Sequence, residues 1–459
     1  MVTVNTSLRE PKLPDGPKAP ALLQMINWIS RPFEYLEECT DKYGDIFTIR
    51  LLGFPPLVFI ANPQGVKDIF VGPDAQHFDA SHTNNNGGGR LIMGDNSLIL
   101  MDGPRHERER KLLMPPFHGD KVKSYAKSIC EITEKVASRW KIDQPFIATE
   151  VTQEITIKVI MQAVFGFNEG EKCEQLRAAI AHWLELTSSP ARLSFIFLKP
   201  LQVDLGPWSP WGNFTRAKQK IYDLFQAEIV DKRIHPEKRG NDILSLMLSA
   251  TDSEGQAMSD AELKDELITL LSAGHETTAN ALAWAFYWLA KNPSVKEKLI
   301  QEIDSLGENP DPIQISRLPY LTAVCQETLR IYPVVQVALA RFAKQDVQIM
   351  GRSFKAGTTF VPSIYSVHHR EDLYPNSNQF KPERFLEHEY TAYEFLPFGG
   401  GVRLCLGHAL ALLELKLVIA SIVSKYNLEL ADDKPIKPVR HSAVIAPSNG
   451  VPLVLTGLR

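Results

Sequence analysis

Cys405 stands in the run Phe398-Gly-Gly-Gly-Val-Arg403-Leu-Cys405-Leu-Gly407, which passes directly into an apolar helical pattern. Glycines at 399, 400, 401 and 407 give the backbone access to positive φ and let another surface approach it closely. Backbone N–H groups at the start of the following helix, from about Leu406, point back toward the sulfur, and with the helix dipole they favour an anion there. The thiol is therefore expected to ionise readily, and the thiolate is the form that binds metal. A tetrahedral zinc or an iron–sulfur cluster would need three further Cys or His ligands at short spacing, a set that this stretch does not supply. The other four cysteines, at 39, 130, 173 and 325, lie in ordinary helical or loop contexts. A lone thiolate suits an iron whose remaining ligands come from a macrocycle. The competing reading is a glycine-rich turn beside a buried, inert cysteine.

The run matches the pattern Phe-x-x-Gly-x-Arg-x-Cys-x-Gly at every fixed position. On these residues the chain resembles the cytochrome P450 family, the haem-thiolate monooxygenases, in its soluble bacterial type. The resemblance implies heme b, iron protoporphyrin IX, with Cys405 as axial thiolate and metal ligand, Phe398 packed beside the sulfur and Arg403 on a haem propionate. Three further stretches agree with the family in order and approximate spacing, so the likeness runs from about residue 30 to the C-terminus.

The first is Ala273-Gly274-His275-Glu276-Thr277-Thr278, at the centre of a helical pattern from about Asp260 to Lys291. Leu263, Leu267, Leu270, Leu271, Ala281, Leu282 and Ala285 follow three-and-four spacing. Thirty residues give about 45 Å, enough to cross a large domain, and the pattern is too amphipathic for a bilayer span. The Ala-Gly pair leaves room for a ligand, and the adjacent acid and hydroxyl supply a proton path. By the resemblance, Glu276 and Thr277 are the catalytic pair that delivers protons while the O–O bond breaks. In an anonymous helix the plainer reading is a Thr277 hydroxyl bonded back to a carbonyl four residues earlier and a solvated Glu276. His275-Glu276 also begins a zinc-protease pattern, which fails because position 279 is Ala.

The second is Glu327-Thr328-Leu329-Arg330, on a helix that stops at Tyr332-Pro333 because proline disfavours helix in the residue before it. Glu327 and Arg330 share a face. The resemblance adds Arg384 as a third member that locks the core behind the haem, a structural role. The third stretch is Asp102-Gly103-Pro104-Arg105-His106, followed by Arg110 one turn beyond His106. Two donor side chains on one face suit a pair of carboxylates, and the family reading places His106 and Arg110 on the haem propionates. Many relatives carry tryptophan where His106 stands. Arg341, after the bend at Pro333, is a further propionate candidate.

With 459 residues, 44% hydrophobic and 23% charged, the chain can bury a large core. No linker, repeat or low-complexity block divides it, so residues 31–459 are expected to form one haem-thiolate domain behind a proline-containing extension, 1–30. A net charge of −4, from 50 basic and 54 acidic residues, leaves no footprint for nucleic acid. Five sparse cysteines fit a reducing compartment, and the interrupted apolar stretch Ala21 to Ile29 cannot span a bilayer or act as a signal segment. No transmembrane segment and a cytoplasmic location are therefore expected.

The fold class read from the sequence is mainly α with a small β portion, in a single-domain cytochrome P450 fold, the haem lying between the long central helix and the helix after the Cys loop. Helical patterns fall near 32–43, 63–70, 104–113, 121–140, 147–165, 171–188, 214–234, 242–250, 259–291, 293–305, 316–331 and 406–425. Strand patterns fall near 46–51, 56–61, 337–343, 346–350, 358–362 and 443–456. Family position makes the apolar stretch from Leu193 through Trp208 and Trp211 a lid over the substrate channel, although a core loop capped by two buried tryptophans reads equally well. The segment Asn84 to Gly89 is expected to be a mobile loop over the same cavity. The implied activity inserts one oxygen atom from O2 into a hydrophobic substrate, a fatty acid first and a terpenoid second. No Rossmann or flavin-binding segment is visible, so electrons are expected from a ferredoxin- or flavodoxin-type partner. A haem-thiolate isomerase or peroxygenase, and a non-catalytic haem sensor, are the alternatives.

Overall fold

The computed structural model describes residues 13–83, 88–167, 170–186, 202–441 and 443–459. The central helix runs Asp260–Lys291 and opens with a capping box, in which the Ser259 hydroxyl accepts from the Glu262 N–H and Glu262 reaches back to the Ser259 N–H. Leu263, Leu267, Leu271, Leu282 and Trp284 along it are fully buried or nearly so. Each such side chain contributes about 1.5–3 kcal/mol by leaving water, several times any difference in helix propensity, so packing holds this helix. Its neighbours are the helices Ala148–Phe165, His408–Val423 and Pro319–Ile331. The helix after the Cys loop therefore lies directly against the central one.

The second layer is a five-stranded sheet in the order Ile46–Ile49, Leu57–Ile60, Thr359–Pro362, Arg341–Ala343, Phe78–Asp79. Only the Leu57–Ile60 and Thr359–Pro362 pair is parallel, with Leu57 opposite Thr359. Leu57–Ile60 is buried at every position, which requires a cover on both faces. One face carries Phe47, Phe59 and Tyr365, the other Ile69, Phe70 and Ile349.

Several boundaries move. The pattern 121–140 divides into Asp120–Ser124 and Ala126–Ala137, and 337–343 shortens to the strand Arg341–Ala343. The run 443–456 is two strands, Val444–Pro447 and Pro452–Leu458, because Gly450 and Val451 both take positive φ between them. Val444–Pro447 pairs with Pro438–His441 as a hairpin that period-two reasoning does not reveal. At the N-terminus Ala21–Ser30 is helical, and residues 13–30 pack on the body: Thr48 donates from its N–H to Asp15 and from its hydroxyl to Pro14, while buried Gln24 accepts from the Arg50 N–H. No helix among the described residues is long and apolar enough to cross a membrane.

Candidate active site

The Cys405 loop is closed by its own backbone. The Cys405 N–H donates to the Phe398 carbonyl at 3.0 Å, and His408 Nδ1 lies 2.9 Å from the Cys405 carbonyl oxygen. Gly399 and Gly401 take φ of +69° and +62°, as expected, but Gly400 is extended at −173° and Gly407 sits at −85°. Gly400 is needed for space instead, since a Cβ there would lie 2.5 Å from the Phe70 ring. The surface approaching this bare backbone is thus Phe70, on the helix Pro63–Val71.

The Cys405 side chain is accessible yet set deep within the protein. Burial pushes its thiol up, while the N–H groups of Gly407 and His408 and the Arg110 guanidinium pull the other way. The expectation of a readily ionised free thiol is corrected accordingly, because desolvation outweighs the donors. The donors do lie where the sequence placed them, facing the sulfur.

Four basic groups gather beside the loop. Arg403, with 4% of its side chain exposed, donates to the Leu98 and Met101 carbonyls and to Asp102 Oδ1 at 2.8 Å. Arg341 is buried on its strand, 5.5 Å over the Phe70 ring, and hydrogen-bonds the Leu339 carbonyl. Burial and then the Arg403 charge hold its guanidinium down to about 10. His106 is buried one turn before Arg110 and is pushed down to about 4, first by burial and then by Arg403 and Arg110. It therefore serves as a neutral donor near neutral pH. Burial also lowers Arg110. Buried cations in excess over acids require an anion for company. With a lone sulfur beside them, these residues fit a large, flat, doubly anionic iron macrocycle.

On the central helix, Ala273 is exposed at mid-length while Leu271, His275 and Thr278 to Phe286 are buried. The open position is therefore Ala273 itself. Gly274 packs toward Ile160, which a Cβ would meet at 3.0 Å, so its smallness serves helix contact and not ligand space. The Thr277 hydroxyl donates to the Ala273 carbonyl at 2.6 Å, the plainer of the two readings. Glu276 is not simply solvated: its Oε1 lies 2.8 Å from His441 Nδ1. His275 faces away into the core, 2.8 Å from the Thr156 hydroxyl, with its imidazole pushed down to about 4 by burial. Among the described residues no group of His, Cys, Asp and Glu could by itself hold a metal ion.

Behind the loop, Glu327, Arg330 and Arg384 meet as anticipated. Arg330 forms two bonds to Glu327, at 2.7 and 2.9 Å, and three more to the His368, Ser377 and Gln379 carbonyls. Arg384 Nε reaches Glu327 Oε1 at 3.1 Å, and the Lys381 N–H donates to the same oxygen.

Sequence reasoning missed three residues of this neighbourhood. Asp102 was legible as the start of a helix but not as the acid on Arg403, and Phe70 and His441 carried no pattern. Of the expected lid, residues 187–201 lie outside the described residues, as do 84–87 of the Asn84 to Gly89 segment. The alternative of two buried tryptophans is corrected, since Trp208 is 82% exposed.

A profile of the cytochrome P450 family matches residues 14–454. Putative cytochrome P450 135B1 of Mycobacterium bovis is 31% identical over 452 residues, 95% of this chain and 90% of the relative. Putative cytochrome P450 137 of Mycobacterium tuberculosis is 32% identical over 410 residues, 89% of this chain and 82% of the relative. Among solved structures, the retinoic acid-bound cyanobacterial CYP120A1 is similar with a TM-score of 0.84 and 26% identity, covering 98% of this chain and 100% of that one. The heme domain of cytochrome P450DA shares the fold at a TM-score of 0.83 and 22% identity, covering 98% of this chain and 99% of that one. The loop geometry, the buried basic cluster and these likenesses lead to one conclusion: the chain belongs to the cytochrome P450 family, monooxygenases that hold haem through a cysteine thiolate.

Proposed function

We propose that Cys405 is the thiolate that ligates haem iron, and that the chain hydroxylates a long apolar carboxylic acid, a fatty acid first and a terpenoid second. The observation that carries the reading is the accessible sulfur within a deep site, faced by Arg110 and two backbone N–H groups. Haem supplies dioxygen activation and oxygen insertion when bound. Phe398 shields the sulfur side, and His106, Arg110, Arg341 and Arg403 hold the two propionates. That match turns the excess of buried cations into charge-assisted hydrogen bonds. The retinoic acid in the cyanobacterial relative supports a long isoprenoid or acyl substrate. Electrons come from a separate ferredoxin- or flavodoxin-type donor.

Thr277 and Glu276 move protons in this account. The Thr277 hydroxyl is anchored on the Ala273 carbonyl as donor, which leaves its oxygen lone pairs free to accept from water or substrate in the cavity. Thr277→Ala removes that acceptor. With a surrogate ferredoxin, its product yield per electron pair is expected to drop at least about tenfold, less than the roughly hundredfold or more by which a positioned proton-transfer group speeds a reaction, with peroxide rising in step. Unchanged coupling would exclude the assignment. A screen of fatty acids and terpenoid acids for shifts in the haem spectrum separates the two substrate classes.

A further inference from the structure

We propose that His441 is the solvent-side proton inlet for Glu276, a positioning and proton-supplying residue on the hairpin that covers the central helix. The inference rests on the monooxygenase reading given above and deepens it.

The pair spans two elements far apart in the chain, the hairpin strand Pro438–His441 and the middle of the central helix, with 2.8 Å between His441 Nδ1 and Glu276 Oε1. The His441 side chain is 44% exposed and that of Glu276 19%, so the pair runs from water inward. Glu276 in turn directly precedes Thr277. Of the three polar side chains at 275–277, His275 ends on Thr156 and Thr277 on its own helix, whereas Glu276 bonds an exposed imidazole. An imidazole is the ordinary side chain that takes up and gives off protons between pH 5 and 8.

The hairpin is fixed well enough to keep this contact. Arg440, one residue earlier, has its guanidinium 4.6 Å over Trp28 of the N-terminal helix Ala21–Ser30. Opposite Arg440 is Ile445, which is buried and donates its N–H to the Val334 carbonyl. Arg440 thus ties the strand to the N-terminal helix, while His441 bonds the central one. The charged groups around the contact are few. The helix Ala21–Ser30 and the strand Val444–Pro447 contain no titratable residue, and Arg440 stands over Trp28 with Nη2 buried and without a hydrogen-bond partner, so Glu276 is the acid that faces His441.

One transfer proceeds as follows. Protonated His441 donates from Nδ1 to Oε1 of the Glu276 carboxylate, becoming neutral imidazole as the carboxyl forms. The carboxyl passes its proton to water beside the exposed Thr277 hydroxyl and returns to carboxylate. His441 then regains a proton from bulk water, with no change in oxidation state.

The test is the pH profile of coupling in the haem-loaded protein for wild type, His441→Asn, His441→Gln and Thr277→Ala. Asparagine and glutamine keep a hydrogen-bond donor but cannot titrate. Both are expected to lower product per electron pair by about threefold to tenfold at neutral pH and to flatten its dependence on pH. Substrate-induced spectral shifts should be unaltered. A second readout needs no turnover: His441→Ala should raise amide exchange in residues 438–447 severalfold while that of the Glu327 helix is unchanged. If both polar variants keep the wild-type profile while Thr277→Ala uncouples, the inlet is overturned and the monooxygenase reading stands. If Thr277→Ala also leaves coupling intact, the proton-pair reading falls and takes the inlet with it.

Discussion

Replacing Glu327 by alanine is expected to lower the stability of the protein by about 3–5 kcal/mol, the loss found when one partner of a buried ion pair is removed. Glu327 and Arg330 are fully buried, and Arg384 is nearly so. The carboxylate accepts from both arginines and from the Lys381 N–H, so its removal leaves two buried guanidinium groups without the carboxylate that neutralises them. Arg330 keeps the His368 and Ser377 carbonyls but loses its neutralising charge. Glu327→Gln should cost less, since an amide oxygen still accepts from the arginines while the charge is gone. Urea midpoints of the haem-loaded wild type and variants measure the difference. A loss below about 1 kcal/mol for the alanine variant would place this cluster among ordinary surface pairs.

Acidification from pH 7 to 4 is expected to remove on the order of 3 kcal/mol through His275 alone. This imidazole is buried and is held down to about 4 from 6.5. Because the folded value is the lower one, the unfolded chain binds the proton first as pH falls. The contribution is whole above pH 6.5, shrinks between 6.5 and 4, and is exhausted below 4. His368, fully buried and likewise held down, adds to the same slope. Unfolding free energies across this window should show the decline, and His275→Gln should flatten it by about its own share. A variant with the full wild-type slope would mean that His275 is accommodated as a cation.

What the sequence made legible were features whose physics is local. The glycine-flanked thiol, the helix stop at Tyr332-Pro333 and the acid and base three apart at 327 and 330 all depend on neighbours within a few residues. Glu327 could be tied to Arg384 only through the family likeness, because the pairing crosses a loop. The errors have the opposite character. Gly274 was read as room for a ligand, but Ile160 fills that space, and Gly400, expected to need positive φ, is extended and serves the close approach of Phe70 instead; neither neighbour is adjacent in sequence. The thiol was expected to ionise from its helix-start donors alone, while burial, which only the assembled fold reveals, wins. That Glu276 meets an imidazole was not foreseen, because His441 lies 165 positions away.

The central claim is sulfur ligation of haem iron by Cys405. The direct measurement is the absorption spectrum of the reduced protein under carbon monoxide, for wild type and for Cys405→Ala. The account predicts a strongly red-shifted Soret band in wild type that is absent from the variant, whose haem content also falls. A wild-type band at the position of histidine-ligated haem, or an alanine variant with the wild-type spectrum, would contradict it.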